Sequence, residues 1–170
     1  YPHGKLRLGR RTHVMGILNV TPDSFYDGKR YNTVKNAVDH ALNMVEEGAD
    51  IIDVGGESTR PGAYPISEAE ELKRVIPLIK MLSKQARKPI SIDTYKAKVA
   101  EKAIDAGASI INDIGGLLMD KHMAKVAAEA KAPVIIMHKK GKPRTMQKNP
   151  IRKNLMSEII SYLQKSVSRA

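Results

Sequence analysis

The stretch Gly48–Ala63 reads GADIIDVGGESTRPGA, and it carries the pattern that decides the fold. Residues 51–54, IIDV, form a short β-branched run without alternating polar positions, which is typical of a parallel strand covered on both faces. Asp53 interrupts this run, and a buried carboxylate needs hydrogen-bond donors or a ligand that supplies them. Gly55 and Gly56 follow and allow close approach to the backbone. The stretch therefore predicts a buried strand whose end carries chemistry.

Similar apolar runs occur before and after this stretch and alternate with segments of helical period. The predicted strands are Val14–Val20, Ile51–Val54, Pro89–Ile92, Ser109–Ile111 and Pro133–Met137. The predicted helices are Thr33–Glu47, Ser67–Gln85, Lys96–Ala106, Asp120–Ala130 and Pro150–Ser168. Strands and helices in strict alternation imply right-handed crossovers and a parallel sheet.

Several residues mark where these helices begin, end or bend. Gly48 and Gly107 follow helical segments and can take the left-handed conformation that ends a helix. Ser67 followed by Glu70 is a plausible capping box. Pro77 falls inside the second helix, where we expect a kink or a break.

Polar residues finish the predicted strands, and this favours a TIM-type (β/α)₈ barrel over a doubly wound open sheet. A barrel gathers all its strand ends at one mouth, whereas an open sheet uses those beside its switch point. The dinucleotide motif GxGxxG is absent after the first strand, and no GxxxxGK[ST] loop occurs. We expect residues 1–170 to form one barrel domain that stops after about five of the eight units.

The composition limits the class of protein. The chain has 170 residues, 42% of them hydrophobic, and no cysteine, which excludes disulfides and cysteine nucleophiles and favours a reducing cytoplasm. We find neither a membrane-spanning apolar run nor a signal peptide. The net charge of +11 comes from scattered lysines, with one Phe and no Trp. A solvated surface that favours anionic substrates explains it better than a nucleic-acid partner does.

Each polar strand end also has an ordinary structural interpretation. Asn19 could bind a hard cation or a phosphate oxygen, or could form an Asx turn. Asp93 could be a simple helix N-cap. Thr59 and Arg60 could bind an anion, Arg60 with the fork geometry suited to carboxylate or phosphate. Together, the strand-end residues Asn19, Asp53, Asp93 and Asn112 suit a flat heterocycle with several N–H groups, because buried apolar runs seldom end in carboxylates or carboxamides.

At these residues the sequence resembles dihydropteroate synthase. The resemblance is carried by five segments in the family's order, Met15–Gly28 (MGILNVTPDSFYDG), Gly48–Ala63, Ser91–Lys96 (SIDTYK), Ile111–Gly116 (INDIGG) and Met137–Pro150 (MHKKGKPRTMQKNP). The family's fold is the (β/α)₈ barrel. Its reaction condenses dihydropterin-methyl diphosphate with para-aminobenzoate to give dihydropteroate and diphosphate.

The resemblance also implies roles for residues. Asp53, Asp93 and Asn112 would bind the pterin, and Asn19 would contact Mg²⁺ and the diphosphate. Asp93, Asn112 and Arg60 would act in catalysis. The remaining substrate-binding positions would be Thr59, Arg60, Pro61 and Met137. A loop at Asp23–Gly28 would close over the reaction, and the family suggests a homodimer in the cytoplasm.

The chain departs from the family in ways that leave alternatives open. Tyr26 and Lys29 replace the usual residues of DSFSDGG, and IRKNLM after Pro150 is a looser match. The family's later Asp, Lys and Arg-x-His have no counterpart before Ala170. A methyltetrahydrofolate-dependent methyltransferase of the same barrel family would share the Asp and Asn strand ends. A non-catalytic fragment or basic interaction protein is the alternative from another class.

Overall fold

A computed structural model describes residues 1, 4–20, 30–58, 64–139 and 154–170, with the backbone alone over 30–33. It contains five parallel strands that alternate with five helices. The strands are β1 Met15–Asn19, β2 Ile51–Gly55, β3 Ile90–Asp93, β4 Ile110–Asp113 and β5 Val134–Ile136. The helices are α1 Arg30–Glu46, α2 Glu68–Gln85, α3 Ala97–Asp105, α4 Met123–Ala130 and α5 Leu155–Val167.

The order of the strands distinguishes between the two predicted architectures. Neighbours in the sheet are also neighbours in the chain, in the order β1-β2-β3-β4-β5, and all four pairings are parallel. A doubly wound sheet would reverse direction at a switch point, and the described sheet contains none. The topology is therefore that of consecutive barrel units, as the sequence predicts.

Side chains alternate between the two faces of each strand, and the two faces of this sheet differ in character. The outer face, which meets the helices, is apolar and almost fully buried. It includes Leu18, Ile52, Val54, Ile92 and Ile111. These pack against buried helix residues such as Val75, Leu82 and Val99. The inner face is the one that turns toward the axis of a barrel, and it carries the polar strand ends.

The predicted helix ends are largely confirmed. Gly48 and Gly107 have φ of +112° and +115°, and the N–H of the residue after each reaches back to the helix over five residues. The Oγ of Ser67 accepts a hydrogen bond from the backbone N–H of Glu70 at 3.2 Å, so Ser67 is an N-cap. The Glu70 carboxylate binds Arg74 instead of completing a capping box.

Two helix predictions need correction. Helix α2 continues through Pro77 without a break, because the fully buried Val75 and Leu78 on either side tie it to the core. Helix α4 begins at Met123 rather than at Asp120. Asp120 instead accepts hydrogen bonds from the backbone N–H groups of Ala97, at 2.8 Å, and of His122, at 2.9 Å. Its carboxylate thus caps the start of α3.

The inner face of the sheet is open over the described residues. Ile17 is 63% exposed, and Ile135 and Met137 are 38% and 40% exposed. No helix in the described part of the chain is long and apolar enough to cross a membrane.

Candidate active site at the carboxyl edge of the sheet

Four strand ends lie side by side along one line across the sheet. In the pairing register, Asn19 is opposite Gly55, Gly55 is opposite Asp93, and Asp93 is opposite Asn112. Asp53 precedes Gly55 by two residues and so points to the same face. The structure therefore brings Asn19, Asp53, Asp93 and Asn112 together on the inner face, as the sequence predicts.

A direct hydrogen bond joins two of these residues across the width of β3. The amide nitrogen Nδ2 of Asn112 donates to Oδ2 of Asp53 at 3.0 Å. Asp53 is only 4% exposed. Because β2 and β4 are not neighbours, the bond shows that the two side chains lean toward each other over the inner face. It fixes the direction in which both present their remaining polar atoms.

Two carboxylate oxygens at this edge have no hydrogen-bond donor among the described residues. They are Oδ1 of Asp53 and Oδ1 of Asp93, and both are buried. Leaving a buried acceptor unsatisfied costs about 1–3 kcal/mol. A ligand that brings N–H groups would remove this cost, which is the recognition predicted from the sequence.

Asp93 does not cap a helix, so the ordinary structural interpretation of this residue is wrong. Helix α3 begins at Ala97, and the backbone N–H of Ala97 is held by Asp120. The backbone N–H of Lys96 donates to Oγ1 of Thr94 at 3.2 Å. With the helix start satisfied by other groups, the carboxylate of Asp93 faces the site.

The surroundings raise the pKa of both carboxyl groups. Burial, followed by the negative charges of Asp53 and Glu71, raises the pKa of Asp93 to about 7. Burial also raises the pKa of Asp53, against the opposing effects of Ser91 and Asn112. Ser91 is paired with Asp53 in the sheet register, but its hydroxyl does not form a hydrogen bond with the Asp53 carboxylate. Near neutral pH the carboxyl group of Asp93 can therefore act as an ionised acceptor or as a protonated donor.

The two glycines after Asp53 have different roles. A Cβ on Gly55 would lie 3.0 Å from Oδ1 of Asn19 and 3.5 Å from Oδ2 of Asp93. Gly55 thus keeps open the space between two site residues. A Cβ on Gly56 would lie 2.7 Å from Cγ1 of Val75, inside the packing against α2. The sequence predicted close approach for both glycines, and only Gly55 meets the site.

Asn19 is the one predicted metal ligand, and its Oδ1 lies at this edge. Among the described residues no group of three or more His, Cys, Asp or Glu side chains could hold a metal ion. A single amide oxygen fits Mg²⁺ only where substrate phosphates and water supply the other ligands, which is a common arrangement for this ion.

The end of β5 contributes to the same mouth. Met137 follows the strand on the inner face and is 40% exposed, so it is available to an apolar ligand surface. The Nζ of Lys139 lies 5.7 Å from the centre of the Tyr95 ring and 2.8 Å from Sδ of Met119. Burial lowers the pKa of Lys139.

Three predicted site residues lie outside the described residues. These are Thr59, Arg60 and Pro61, together with the loop predicted at Asp23–Gly28. Their roles stay predictions. The structure does describe what precedes and follows the segment 59–63, and there it contains a cluster that the sequence did not predict.

The missed residues are Glu57, Tyr95 and Lys96. Glu57 accepts hydrogen bonds from the Tyr95 hydroxyl at 2.9 Å and from Nζ of Lys96 at 2.6 Å. Each follows a predicted strand end by a few positions, where a polar or charged side chain suggests a loop in solvent. A charged residue directly after a buried strand could have indicated such a cluster, but nothing in the sequence indicates which residue of opposite charge it contacts.

Residues 15–170 match the family described as pterin binding enzyme. The chain belongs to the pterin-binding enzyme family. Its inner-face residues Asp53, Asp93 and Asn112 all lie within the matched range.

Relatives within the pterin-binding family are close in sequence. The chain is 51% identical over 166 residues to dihydropteroate synthase of Clostridium beijerinckii, which covers 98% of this chain and 59% of that protein. It is 59% identical over 128 residues to dihydropteroate synthase of Bacillus subtilis, covering 75% of this chain and 45% of the relative. The chain thus spans about 59% of the length of the first of these relatives.

Solved structures of pterin-binding enzymes share the fold. A dihydropteroate synthase from Clostridium difficile, crystallised in the presence of pteroic acid, superimposes with a TM-score of 0.89 at 48% identity, covering 98% of this chain and 61% of that one. The Yersinia pestis synthase in a sulfonamide drug complex gives a TM-score of 0.85 at 45% identity, covering 94% and 57%. The five described units are therefore part of a TIM barrel, as predicted.

Proposed function

We propose that this chain carries the pterin-binding edge of a dihydropteroate synthase. The reaction would condense 7,8-dihydropterin-6-ylmethyl diphosphate with para-aminobenzoate to give dihydropteroate and diphosphate, a transferase reaction of folate biosynthesis. The curated relatives and solved structures named above support this assignment. Because the chain spans about 59% of the Clostridium beijerinckii synthase, the activity of the whole protein belongs to the proposal.

The observation that carries the proposal is the arrangement of acceptors on the inner face. Asp53 and Asp93 each present a buried oxygen without a donor among the described residues, and Asn112 is fixed against Asp53 at 3.0 Å. A pterin ring has several N–H groups on one edge and ring nitrogens that accept. A mixed set of carboxyl and amide groups matches such an edge, since each ligand donor finds an acceptor and the Asn112 amide can act in either sense.

The electrostatics of this edge suit the proposed chemistry. As the diphosphate departs, positive charge develops on the methylene carbon of the pterin, and nearby carboxylates stabilise it. The arylamine nitrogen then bonds to that carbon, so no protein nucleophile is needed. Asn19 would hold the diphosphate end through its amide. Bound Mg²⁺ would neutralise charge on the leaving diphosphate.

The residues outside the described part of the chain keep the roles that the sequence resemblance implies. Arg60 and Thr59 would contact the diphosphate and the aminobenzoate, with Pro61 beside them. Met137 would form an apolar wall of the pterin pocket, and its exposure on the inner face is consistent with that role. We further propose a homodimer without a nucleic-acid partner, located in the cytoplasm. Sedimentation velocity would test the dimer.

The methyltransferase alternative is less well supported. It would share Asp53, Asp93 and Asn112 but has no use for the diphosphate contact at Asn19. The relatives named above are dihydropteroate synthases, which favours the synthase. The non-catalytic alternative predicts that pterin ligands do not bind, and the following experiment separates it from the proposal.

The test is calorimetric titration of the chain with dihydropterin-methyl diphosphate and Mg²⁺. Asn112→Ala should weaken binding by a factor of about 100, because it removes a ligand contact and leaves Oδ2 of Asp53 without its donor. Lys84→Ala, an exposed change in the last turn of α2 and so at the end of that helix that leads into the start of β3, is the control and should bind as wild type does.

Equal affinity of Asn112→Ala and wild type would overturn the assignment of the pterin site. Absence of binding by wild type, together with a salt-dependent affinity for nucleic acid, would favour the non-catalytic alternative. Release of diphosphate in the presence of para-aminobenzoate would distinguish the synthase from a methyltransferase.

A further inference from the structure

One ammonium group at the mouth of the candidate site pairs with no carboxylate of the described residues. It belongs to Lys139, which follows the inner-face residue Met137 by two positions. Its Nζ lies 5.7 Å from the centre of the Tyr95 ring and donates to Sδ of Met119 at 2.8 Å. Because Tyr95 follows β3 and Met119 follows β4, the ammonium lies where the connections after three consecutive strands meet.

The ammonium group of Lys96 lies beside the same aromatic ring and provides a comparison. Its Nζ is 5.0 Å from the centre of the Tyr95 ring. All three of its N–H donors are used, and the acceptors are Glu57, Glu71 and the backbone carbonyl of Ile66. Lys139 directs one N–H at a thioether, which is a weak acceptor. Its other two N–H groups have no acceptor among the described residues.

The contacts that Lys139 makes are weak for a half-buried charge. A cation over an aromatic face contributes about 0.5–1 kcal/mol at exposed sites. A hydrogen bond to a charged group contributes more, about 1.5–3 kcal/mol. Burial lowers the pKa of Lys139, and the negative charges of Asp113 and Glu57 oppose this only in part. An oxyanion beside Nζ would supply both an acceptor and a compensating charge.

The two carboxylates that act on Lys139 are already committed to other donors. Both oxygens of Glu57 accept hydrogen bonds, at 2.9 and 2.6 Å. Asp113 is fully buried, and its oxygens accept from the backbone N–H groups of Gly115 at 2.6 Å and Leu117 at 2.7 Å. Neither carboxylate can turn toward Lys139 without leaving these donors unsatisfied. An acceptor for Lys139 is therefore expected to come from a bound ligand.

We infer that Lys139 is an oxyanion-binding residue of the candidate site and binds the anionic end of a substrate. The inference rests on the proposed function, whose two substrates carry a diphosphate and a carboxylate. Both groups are oxyanions, and a lysine binds either of them as a point charge, without the paired geometry of an arginine. The inner-face carboxyl groups are acceptors for ligand N–H groups, and Lys139 adds a cation for a ligand group of opposite charge.

Matched pairs of charged and neutral ligands test this inference by calorimetric titration of the chain with Mg²⁺. The first pair is dihydropterin-methyl diphosphate and the same pterin with a hydroxymethyl group in place of the diphosphate ester. The second pair is para-aminobenzoate and para-aminobenzamide, each titrated into the chain saturated with the hydroxymethyl pterin and inorganic diphosphate. Lys139→Met should weaken one charged ligand about tenfold or more, while its neutral counterpart stays within about twofold. The pair that shows this difference identifies the anion.

Two further variants separate the charge of Lys139 from its packing. Lys139→Arg keeps the positive charge and should bind the charged ligand within about threefold of wild type. Lys84→Met removes an exposed lysine in the last turn of α2 and should bind all of these ligands as wild type does. Equal losses for charged and neutral ligands in Lys139→Met, or no loss for any ligand, would overturn the inference. A wild-type chain that binds neither pterin would instead overturn the proposed function.

Discussion

Asp50 immediately precedes β2, and Asp53 lies in the middle of that strand. Each is 4% exposed, yet the two carboxylates differ in the number of hydrogen-bond donors around them. Asp50 has several donors. Arg11 donates to both of its oxygens, at 2.9 and 2.5 Å, and the backbone N–H of Val14 adds a bond of 3.1 Å. Asp53, in the middle of the strand, accepts a hydrogen bond from Asn112 and has one oxygen without a donor among the described residues.

The pKa directions follow this difference. The hydrogen bond from Arg11 and that from Val14 lower the pKa of Asp50 well below its ordinary range. Burial raises the pKa of Asp53 and Asp93. In barrels the N-terminal edge of the sheet serves stability and the carboxyl edge carries the site. The hydrogen-bond donors around these carboxylates follow the same pattern, because they surround Asp50 at the N-terminal edge and are fewer around Asp53 and Asp93 toward the carboxyl edge.

The largest expected effect on stability comes from removing the carboxylate of Asp50 at the start of β2. Asp50→Ala leaves Arg11 and the N–H of Val14 without their shared acceptor, and it removes the carboxylate that lies 3.3 Å from Nδ1 of His13. We expect Tm to fall by about 10 °C, because several hydrogen bonds to one buried carboxylate are lost together. Differential scanning calorimetry measures it. Asp105→Ala, which removes a carboxylate that is 61% exposed, is the control and should change Tm by at most about 2 °C.

Acid titration sharpens the same prediction. The folded pKa of Asp50 is lowered, so its contribution is present above the ordinary pKa near 3.8 and is lost as the pH falls below that value. Wild type should therefore lose stability between about pH 5 and pH 3 more steeply than Asp50→Ala does. Parallel curves for the two proteins would show that the contacts of Asp50 do not stabilise the fold.

The next effect concerns Asp93, whose substitution should raise stability rather than lower it. Its folded pKa is raised from 3.8 to about 7, so the folded chain keeps a proton that the unfolded chain loses. The contribution of Asp93 to stability is then complete below about pH 4 and falls as the pH rises through 7. Asp93→Asn removes the titration, and we expect it to be more stable than wild type by about 2 kcal/mol at pH 8.

Urea unfolding at pH 4 and pH 8 checks this expectation. The advantage of Asp93→Asn should be present at pH 8 and nearly absent at pH 4. Asp39→Asn is a matched change on the surface of α1 and should show no such difference. An advantage of equal size at both pH values would mean that the carboxyl of Asp93 does not titrate on folding.

Much of the fold was accessible from the sequence, for a physical reason. Buried parallel strands are continuous apolar runs, and their ends all point to one edge, so residues such as Asn19 and Asp93 could be grouped without knowledge of the structure. The glycine helix ends at Gly48 and Gly107 are local in the same sense. Periodicity and short-range turn chemistry contain that information.

The contacts that the sequence did not predict join residues far apart in the chain. Arg11 meets Asp50, Lys96 meets Glu57, and Asp120 caps the helix that begins at Ala97. A charged residue shows no periodic signal for its partner, so each was indistinguishable from a solvated surface group. Of the kink or break predicted at Pro77, the break does not occur, because packing around the helix outweighs the local cost of proline.

The smallest expected effects come from substitutions at the adjacent residues Gly55 and Gly56. The first of these glycines contacts the candidate site, and the second contacts the packing against α2. Gly55→Ala would place a Cβ 3.0 Å from Oδ1 of Asn19 and 3.5 Å from Oδ2 of Asp93. Because Asn19 is an exposed side chain that can shift slightly, stability should change by less than about 1 kcal/mol, whereas pterin diphosphate affinity should fall about tenfold. Gly56→Ala would place its Cβ 2.7 Å from Cγ1 of the fully buried Val75.

Gly56→Ala should therefore cost stability, by about 1 to 2 kcal/mol, and should leave ligand affinity within about twofold once folded. Urea unfolding and calorimetric titration of the two variants side by side measure both quantities. The crossed result, in which Gly55→Ala unfolds and Gly56→Ala loses the ligand, would place the ligand on the helix side of β2. The inner face would then no longer be the candidate site, because the new methyl group meets the inner-face residues Asn19 and Asp93 in Gly55→Ala and the α2 residue Val75 in Gly56→Ala.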